Sequence, residues 1–384
     1  MTQREYDAVV VGGGIVGSAA AYHLARGGTE TLLLDREDAG RATDAGAGIV
    51  TTGTEQRDGP DDWYRFAADA MAYYPALADR LEADGCADHS YRRRGMLQVA
   101  VTPDERDALA AARERAERRT DRFGHPPDGS VDRLDPDEAT ELFPPLSDVE
   151  AALHYRDAAQ VDGRRFERAL RTAGERRGLD VRNEAATGVR LADDGAVVGV
   201  ETERGGHDAP SVVIAGGAWS PAFAADLGVD LPVEPLRGQI VHLDCADFDA
   251  DPDAWPIVGG FRHHYVAPWA EGRVAVGATR ERGVGFSATP TLGGLDEVTA
   301  EALRLAPGLA DATYLETRVG LRPATPDDLP IVGPVPGVPG AYVATGHGAT
   351  GLQLGPYSGK AVADLIAGGN PVDGLAAFAV DRFD

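Results

Sequence analysis

Several things are scarce in this chain, and each scarcity removes a class of protein. Two cysteines in 384 residues, Cys86 and Cys245, exclude a disulfide scaffold and a cysteine-based zinc site. No apolar run reaches the roughly 18 residues needed to span a bilayer. Lysine is almost missing: Lys360 is the only one among 37 basic side chains, the other 36 being arginine. Acidic residues number 62, which leaves a formal charge of −25. A phosphate backbone or an anionic membrane attracts the opposite sign, so neither is expected as a partner.

High acidity with hardly any lysine fits concentrated salt as the working solvent. At about 1 M the Debye length falls to about 3 Å and self-repulsion is screened. Biased codon use would explain arginine over lysine but not the acidity, so a halophilic source is expected. Met1–Asp7 is polar and runs directly into a strand-like segment. No signal peptide is therefore expected, and the expected location is the cytoplasm.

The composition that remains, 43% hydrophobic and 26% charged, is that of a folded globular chain. Its length suits two domains, or one large domain with an insertion. Tyr6–Val11 is a β-branched apolar run ending on Gly12-Gly13-Gly14. Ile15–Arg26 is helix-compatible, and Thr31–Leu34 is a second apolar run closed by Asp35. Strand, glycine turn, helix and strand within about 30 residues form the βαβ unit of a dinucleotide-binding fold.

Trp63–Asp84, Asp104–Arg119 and Gly163–Arg177 have helical spacing, and Asp137-Glu138 opens a short helix before Pro144. Gly95–Val101, Ser211–Ala215, Gly238–Leu243, Tyr265–Pro268 and Arg273–Ala278 read as strands. The end of the chain returns to strand (Ala341–Thr345), glycine loop and helix (about Gly351–Ile366). The expected fold is α/β: a discontinuous Rossmann-type nucleotide domain carrying a second domain rich in antiparallel sheet. The nucleotide domain is expected over residues 1–88, 158–229 and 321–384, with the second domain over 89–157 and 230–320.

Gly12-x-Gly14-x-x-Gly17 stands in the context the motif demands. Gly12 permits the tight turn, Gly14 lets the backbone approach a pyrophosphate, and Gly17 allows close helix–strand packing. The helix N-terminus offers free N–H groups to phosphate. Asp35 falls about 20 residues past the turn, where a carboxylate can accept from ribose hydroxyls. NAD and FAD both remain possible at this point, but nothing downstream resembles a nicotinamide dehydrogenase's catalytic dyad. A second glycine-rich element, Gly346-His347-Gly348-Ala349-Thr350-Gly351, again joins a strand to a helix. A second helix N-terminus suits a flavin, whose reduced form carries negative charge near N1, so FAD is favoured.

Longer stretches carry a resemblance. They are Val9–Gly17, Gly40–Ile49, Val213–Ser220, Pro235–Gln239, Tyr265–Pro268, Val276–Thr279, Gly320–Pro323 with Thr325-Pro326-Asp327, and Gly346–Gly348. In these the chain resembles the FAD-dependent D-amino-acid oxidase superfamily, most closely its glycine oxidase and D-amino-acid dehydrogenase branch. The resemblance implies that Ile15, Val16, Asp35 and Arg36 touch the ADP part of FAD, and that Ala42, Thr43, Ala47, Gly48 and Ile49 line the flavin. His347, Gly348, Ala349, Thr350, Gly351, Leu352 and Gln353 would wrap its pyrimidine edge. Arg41, Gly216, Gly217, Trp219 and Gly346, within the matching stretches, are assigned to the cofactor as well. Arg322 matches the arginine that pairs with the substrate carboxylate, and Tyr265 a tyrosine of the same pocket.

The chain also departs from the pattern. Ala349 replaces a second arginine of the glycine oxidases, and Arg280 replaces an apolar pocket residue. Gly320 stands where the sarcosine oxidase branch carries a flavin-linking cysteine, so FAD is expected to be non-covalent. That branch's carboxylate-binding lysine falls at Gly355.

Flavin-linked amine oxidation needs the substrate positioned more than it needs a base, and one planar guanidinium can grip a carboxylate with two parallel hydrogen bonds. The expected activity is oxidation of a small D-amino acid or glycine-like amine to the imine, then to a 2-oxo acid and ammonia. Arg322, Tyr265 and Arg280 are the candidate catalytic residues. The expected partners are a small carboxylate-bearing amine and an electron acceptor, either oxygen or an electron-transport partner; a homo-oligomer is possible. The alternatives are a dehydrogenase of a 2-hydroxy acid or secondary amine, and a non-catalytic FAD-binding subunit. Arg280 is open between a solvated turn and a pocket residue that selects an acidic side chain. His263-His264 look like a metal pair, but adjacent strand residues point to opposite faces, so no metal site is expected.

Overall fold

The computed structural model of the chain describes residues 5–54, 59–146 and 148–383. Of the polar N-terminal segment, residues 1–4 lie outside the described range. Strand Ala8–Val11 is buried along its whole length and pairs in parallel with Thr31–Asp35 on one side and Ser211–Ile214 on the other. A β-branched run buried on both faces is what a central parallel strand requires. Ala341–Thr345 and the antiparallel Ile331–Pro334 extend this sheet at one edge, and Asp180–Asn183 at the other.

Alternate side chains serve two different cores. Ala8, Val10 and Leu33 pack with Trp63 and Phe66 of helix Asp61–Ala83 and Val362 of helix Gly351–Ile366. Val9, Val11, Leu32 and Leu34 pack the other way, with Val189 and Val200 of a three-stranded antiparallel sheet. The period-two alternation of a strand sorts them.

A second sheet of eight strands runs in the order Thr313–Ala324, Glu234–Asp244, Arg273–Gly277, Tyr265–Pro268, Ile257–Gly259, Met96–Ala100, Ala151–Tyr155 and Val131–Leu134. All its pairings are antiparallel except Ile257–Gly259 with Met96–Ala100. One face buries Leu97, Val99, Val241, Val266 and Val276 against Val298, Ala302 and Leu305 of helix Leu292–Leu305. The opposite face carries Met96, Gln98, Gly238, Ile240 and Tyr265 and walls the cavity described below.

Two elements of this sheet have no clear signal in the sequence. Helix Leu292–Leu305 starts Leu-Gly-Gly and is held by the Thr291 hydroxyl, which accepts from the Gly294 amide; glycines in a first turn hide a helix from any propensity reading. Strand Thr313–Ala324 lies at the sheet edge and carries Glu316, Arg318 and Arg322, so it lacks a continuous apolar pattern.

Candidate active site

Two helix N-termini open on one cavity of about 480 Å³. Helix Ile15–Arg26 begins behind Gly14 and helix Gly351–Ile366 behind Thr350. Neither start is capped by the side chain of its own N-cap residue or has an acidic residue in its first turn, and in the first only the Ile15 amide is taken, by Thr43. Uncapped starts keep N–H groups and partial positive charge available to an electron-rich ligand. Close packing sets the helices side by side. A Cβ at Gly359 would lie 2.6 Å from Val16 O and Ala20 N, and one at Gly355 would lie 3.0 Å from Ile15 and Val16 side chains. A lysine at Gly355 would have to displace the first helix.

At the far end of the cavity, the Asp35 carboxylate is buried between two guanidiniums, Arg171 and, at 3.3 Å, Arg41. Both arginines also reach the Gly13 carbonyl and Glu167. The loop is therefore cross-braced, and Asp35 shares its charge with two arginines. Arg36 lies 5.9 Å from the centre of the Trp219 ring, which stacks on Phe286.

The short helix Ala42–Ala45 joins the two sheets. Thr43 Oγ1 accepts from the Ile15 amide at 3.0 Å. On its other side, a Cβ at Gly320 would come within 2.9 Å of Ala45 Cβ, and the Leu321 amide donates to Gly40 O at 2.8 Å. Gly320 thus lets the strand that bears Arg322 lie directly against the loop over Gly40–Ile49. Opposite stands Gln353, whose buried amide nitrogen has no hydrogen-bond partner among the described residues. Burial holds the His347 imidazole down to about 4, and its Nε2 lies 2.9 Å from Ser358 Oγ. It is a neutral brace for the turn. The uncapped helix starts and the orphaned Gln353 donor fit a dinucleotide at one end and an electron-rich ring at the other.

Beyond this lies the end walled by the eight-stranded sheet. Arg322 is half-buried, and its Nη1 donates to Thr279 O at 2.9 Å. A Cβ at Gly238 would fall 2.4 to 2.5 Å from the guanidinium, which would have to move from this position. No carboxylate pairs with it among the described residues. Burial lowers its pKa; Tyr265 opposes that shift and Arg280 adds to it. Burial likewise pushes the Tyr265 phenol up to about 12 against the pull of both arginines, so it stays neutral. Arg280 is on the same wall with an accessible side chain.

All the site residues expected from the sequence line this cavity except Gly17 and Gly346. Those two shape turns behind the wall. A Cβ at Gly17 would sit 1.9 Å from Gly12 O, and one at Gly346 2.6 Å from Thr325 Cγ2.

One expectation is corrected. His263 and His264 are not strand residues: they precede strand Tyr265–Pro268, His263 has φ of +64°, and both reach the cavity. His264 lies 3.3 Å from Glu297. Among the described residues no group of three or more His, Cys, Asp or Glu side chains is placed to hold a metal. Sequence reasoning missed Gln98, a buried polar side chain on the same wall. Its signal was a lone amide in the apolar run Met96–Ala100.

A nucleotide-type sheet with two uncapped helix starts, opposed by an antiparallel sheet bearing an unpaired arginine, defines a flavoprotein oxidoreductase. Comparison with known proteins places it further. Residues 7–365 match the FAD dependent oxidoreductase family, DAO, to which the chain belongs. It is 40% identical to an uncharacterized oxidoreductase of Bacillus subtilis over 94% of each chain, and 32% identical to glycine oxidase of Pseudomonas aeruginosa over 97% of each. The crystal structure of iminodiacetate oxidase from Chelativorans sp. superposes with a TM-score of 0.91 at 37% identity, covering 97% of this chain and 98% of that one. The protein is an FAD-dependent oxidoreductase.

Proposed function

We propose that the protein oxidises a small amine whose reacting carbon bears a carboxylate, a D-amino acid or glycine-like compound, to the imine. Water then yields the 2-oxo acid and ammonia. The observation that carries this reading is Arg322: a half-buried guanidinium without a carboxylate partner among the described residues, on the wall shared with Tyr265. A charge left unpaired inside a protein costs stability, and a ligand carboxylate offsets that cost. The planar fork fixes the direction of the reacting carbon as well as its charge.

The Tyr265 hydroxyl, neutral at working pH, orients the ligand by hydrogen bonding. No side chain on this wall has to act as base if the amine arrives unprotonated. FAD, which Gly320 offers no side chain to attach covalently, would supply the hydride acceptor, with oxygen or an electron-transport partner as the final acceptor. Similarity to glycine oxidase and iminodiacetate oxidase supports an amine over a hydroxyl donor. The second of these acts on a secondary amine, which keeps that variant of the reaction in play.

The division into a nucleotide domain over 1–88, 158–229 and 321–384 and a substrate domain over 89–157 and 230–320 belongs to the same proposal. So do the cytoplasm as location and a salt-rich solvent. The test is anaerobic bleaching of the flavin by glycine, D-amino acids, sarcosine, proline and 2-hydroxy acids. Reduction by amino acids supports the reading; reduction by hydroxy acids alone, or by nothing in the panel, defeats it.

A further inference from the structure

The reaction proposed above employs one guanidinium, yet the cavity has two at the same end. We propose that Arg280 holds a second carboxylate, so that the substrate is an amino dicarboxylate. One carboxylate sits on the reacting carbon and pairs with Arg322; the other ends the second arm of the molecule and pairs with Arg280. This rests on the amine-oxidising reading of the cavity and narrows its substrate class.

The argument begins with charge. In a chain with 62 acidic residues, arginines of the eight-stranded sheet readily take one: Arg237 pairs with Glu281, and Arg273 and Arg318 both with Glu316. Arg280 and Arg322 have no carboxylate partner among the described residues. The acidic residues that do line the cavity, Asp35, Asp38 and Glu184, cluster at the dinucleotide end, where the Glu184 amide bonds to Asp35 O. The substrate end therefore carries two unbalanced positive charges. A monocarboxylate would neutralise one and leave the other, whereas a dianion neutralises both.

Construction points the same way, because Arg280 does not sit on a loose turn. Its neighbours Thr279 and Glu281 are locked on the side away from the cavity. The Glu281 carboxylate accepts from Arg237 at 2.6 Å, Gln239 Nε2 at 2.7 Å and Thr279 Oγ1 at 2.8 Å. Its backbone exchanges hydrogen bonds with Arg237 at 2.9 and 3.0 Å. The intervening Thr279 carbonyl accepts from Arg322 Nη1 at 2.9 Å. One clamped segment thus sets the positions of both guanidiniums. Ala278 and Arg280 line the cavity while Thr279 and Glu281 face the clamp. Tyr265 lies within the field of both arginines, so all three groups share one space.

The chemistry balances without a further reactant. The substrate's C–H bond would break with its electron pair leaving as hydride to FAD, the nitrogen lone pair would close the C=N bond, the nitrogen would give up one proton to water, and a second water would hydrolyse the imine. The second carboxylate is a handle and takes no part in bond changes.

The test uses holoenzyme and two readouts. Redox-inert succinate and malonate, against acetate, are titrated by calorimetry; iminodiacetate and D-aspartate, against glycine and sarcosine, are compared by anaerobic flavin bleaching. The preference for two carboxylates over one, in Kd and in kcat/KM, should fall about fivefold in Arg280→Gln, the effect of removing one partner of a solvent-accessible charge pair. Arg280→Lys, which keeps the charge but not the fork, should retain part of that preference. Equal loss for mono- and dicarboxylates in Arg280→Gln would show both arginines serving one carboxylate and would overturn the inference. So would a wild-type enzyme without a preference, while bleaching by glycine or sarcosine in that case leaves the amine reading intact. Failure of every amine to bleach the flavin defeats the amine reading itself, and the proposed substrate with it, even if succinate binds.

Discussion

Arg322→Met separates what a buried charge does for binding from what it does for folding. In the wild type the guanidinium makes a 2.9 Å bond to Thr279 O, lies against Gly238 and has no carboxylate partner among the described residues. Methionine keeps much of the apolar stem and drops the charge. A substrate carboxylate that loses this partner, desolvated once the ligand is bound, forfeits about 2–5 kcal/mol, which is about 30- to 4,000-fold in affinity at 1.4 kcal/mol per decade. Folding should respond quite differently. The lost hydrogen bond from a charged donor costs about 1.5–3 kcal/mol, while removing an uncompensated buried charge returns energy of a similar order. The two terms oppose each other, so ligand-free stability should change by no more than about 2 kcal/mol. The assays are acetate or succinate titration of the holoenzyme, and thermal melting of the same samples without ligand. Unchanged carboxylate affinity would refute the reasoning. So would a collapse in melting temperature large enough to show that Arg322 is structural.

Other outcomes follow from neighbouring groups. Tyr265→Phe should weaken substrate binding about tenfold, one ordinary hydrogen bond, and leave the pH profile of kcat unaltered; a lost basic limb would show that the phenol ionises in turnover. Gly17→Ala drives a Cβ into Gly12 O, 1.9 Å away, and should abolish FAD retention, measured as flavin absorbance per protein. In Glu281, burial raises the carboxyl pKa, but hydrogen bonds from Arg237, Gln239 and Thr279 outweigh it and hold the value at about 2. A folded pKa below the unfolded one contributes stability that is complete above the ordinary carboxylate range and lost as pH falls through the folded value. Acid melts should therefore show wild type losing stability between about pH 4.3 and pH 2, with Glu281→Gln flatter over that window. Dialysis to low salt should lower the melting temperature and raise KM for carboxylate substrates, since screening of the −25 charge is lost; indifference to salt would count against the halophilic reading.

Much of the nucleotide half was legible because its signals are local. Val9–Val11 is apolar enough to demand burial on both faces, and Gly12, Gly14 and Gly17 have spacing that only a strand–turn–helix context explains. The second helix start at Gly351 was legible for the same reason. Helix Leu292–Leu305 and strand Thr313–Ala324 were not, the first because of its glycines and the second because an edge strand needs no continuous apolar run. His263-His264 show the limit from the other side: alternation was assumed where a positive φ breaks it.

By itself, then, the sequence determined the class of cofactor site, which depends on spacings of a few residues, while Arg322 was singled out by the resemblance to a known family. The sequence also determined the charge, which no fold can alter. Only the tertiary structure decided which charges go unpaired, because ion pairing is settled by contacts between strands distant in sequence. Arg237 finds Glu281 across the sheet, and Arg273 finds Glu316, while Arg280 and Arg322 find no carboxylate among the described residues. Through-space contact also brought Gly355 and Gly359 onto the first helix and Gly320 onto the loop over Gly40–Ile49. Those close approaches, possible only where a side chain is missing, bring residues from both ends of the chain to a single cavity.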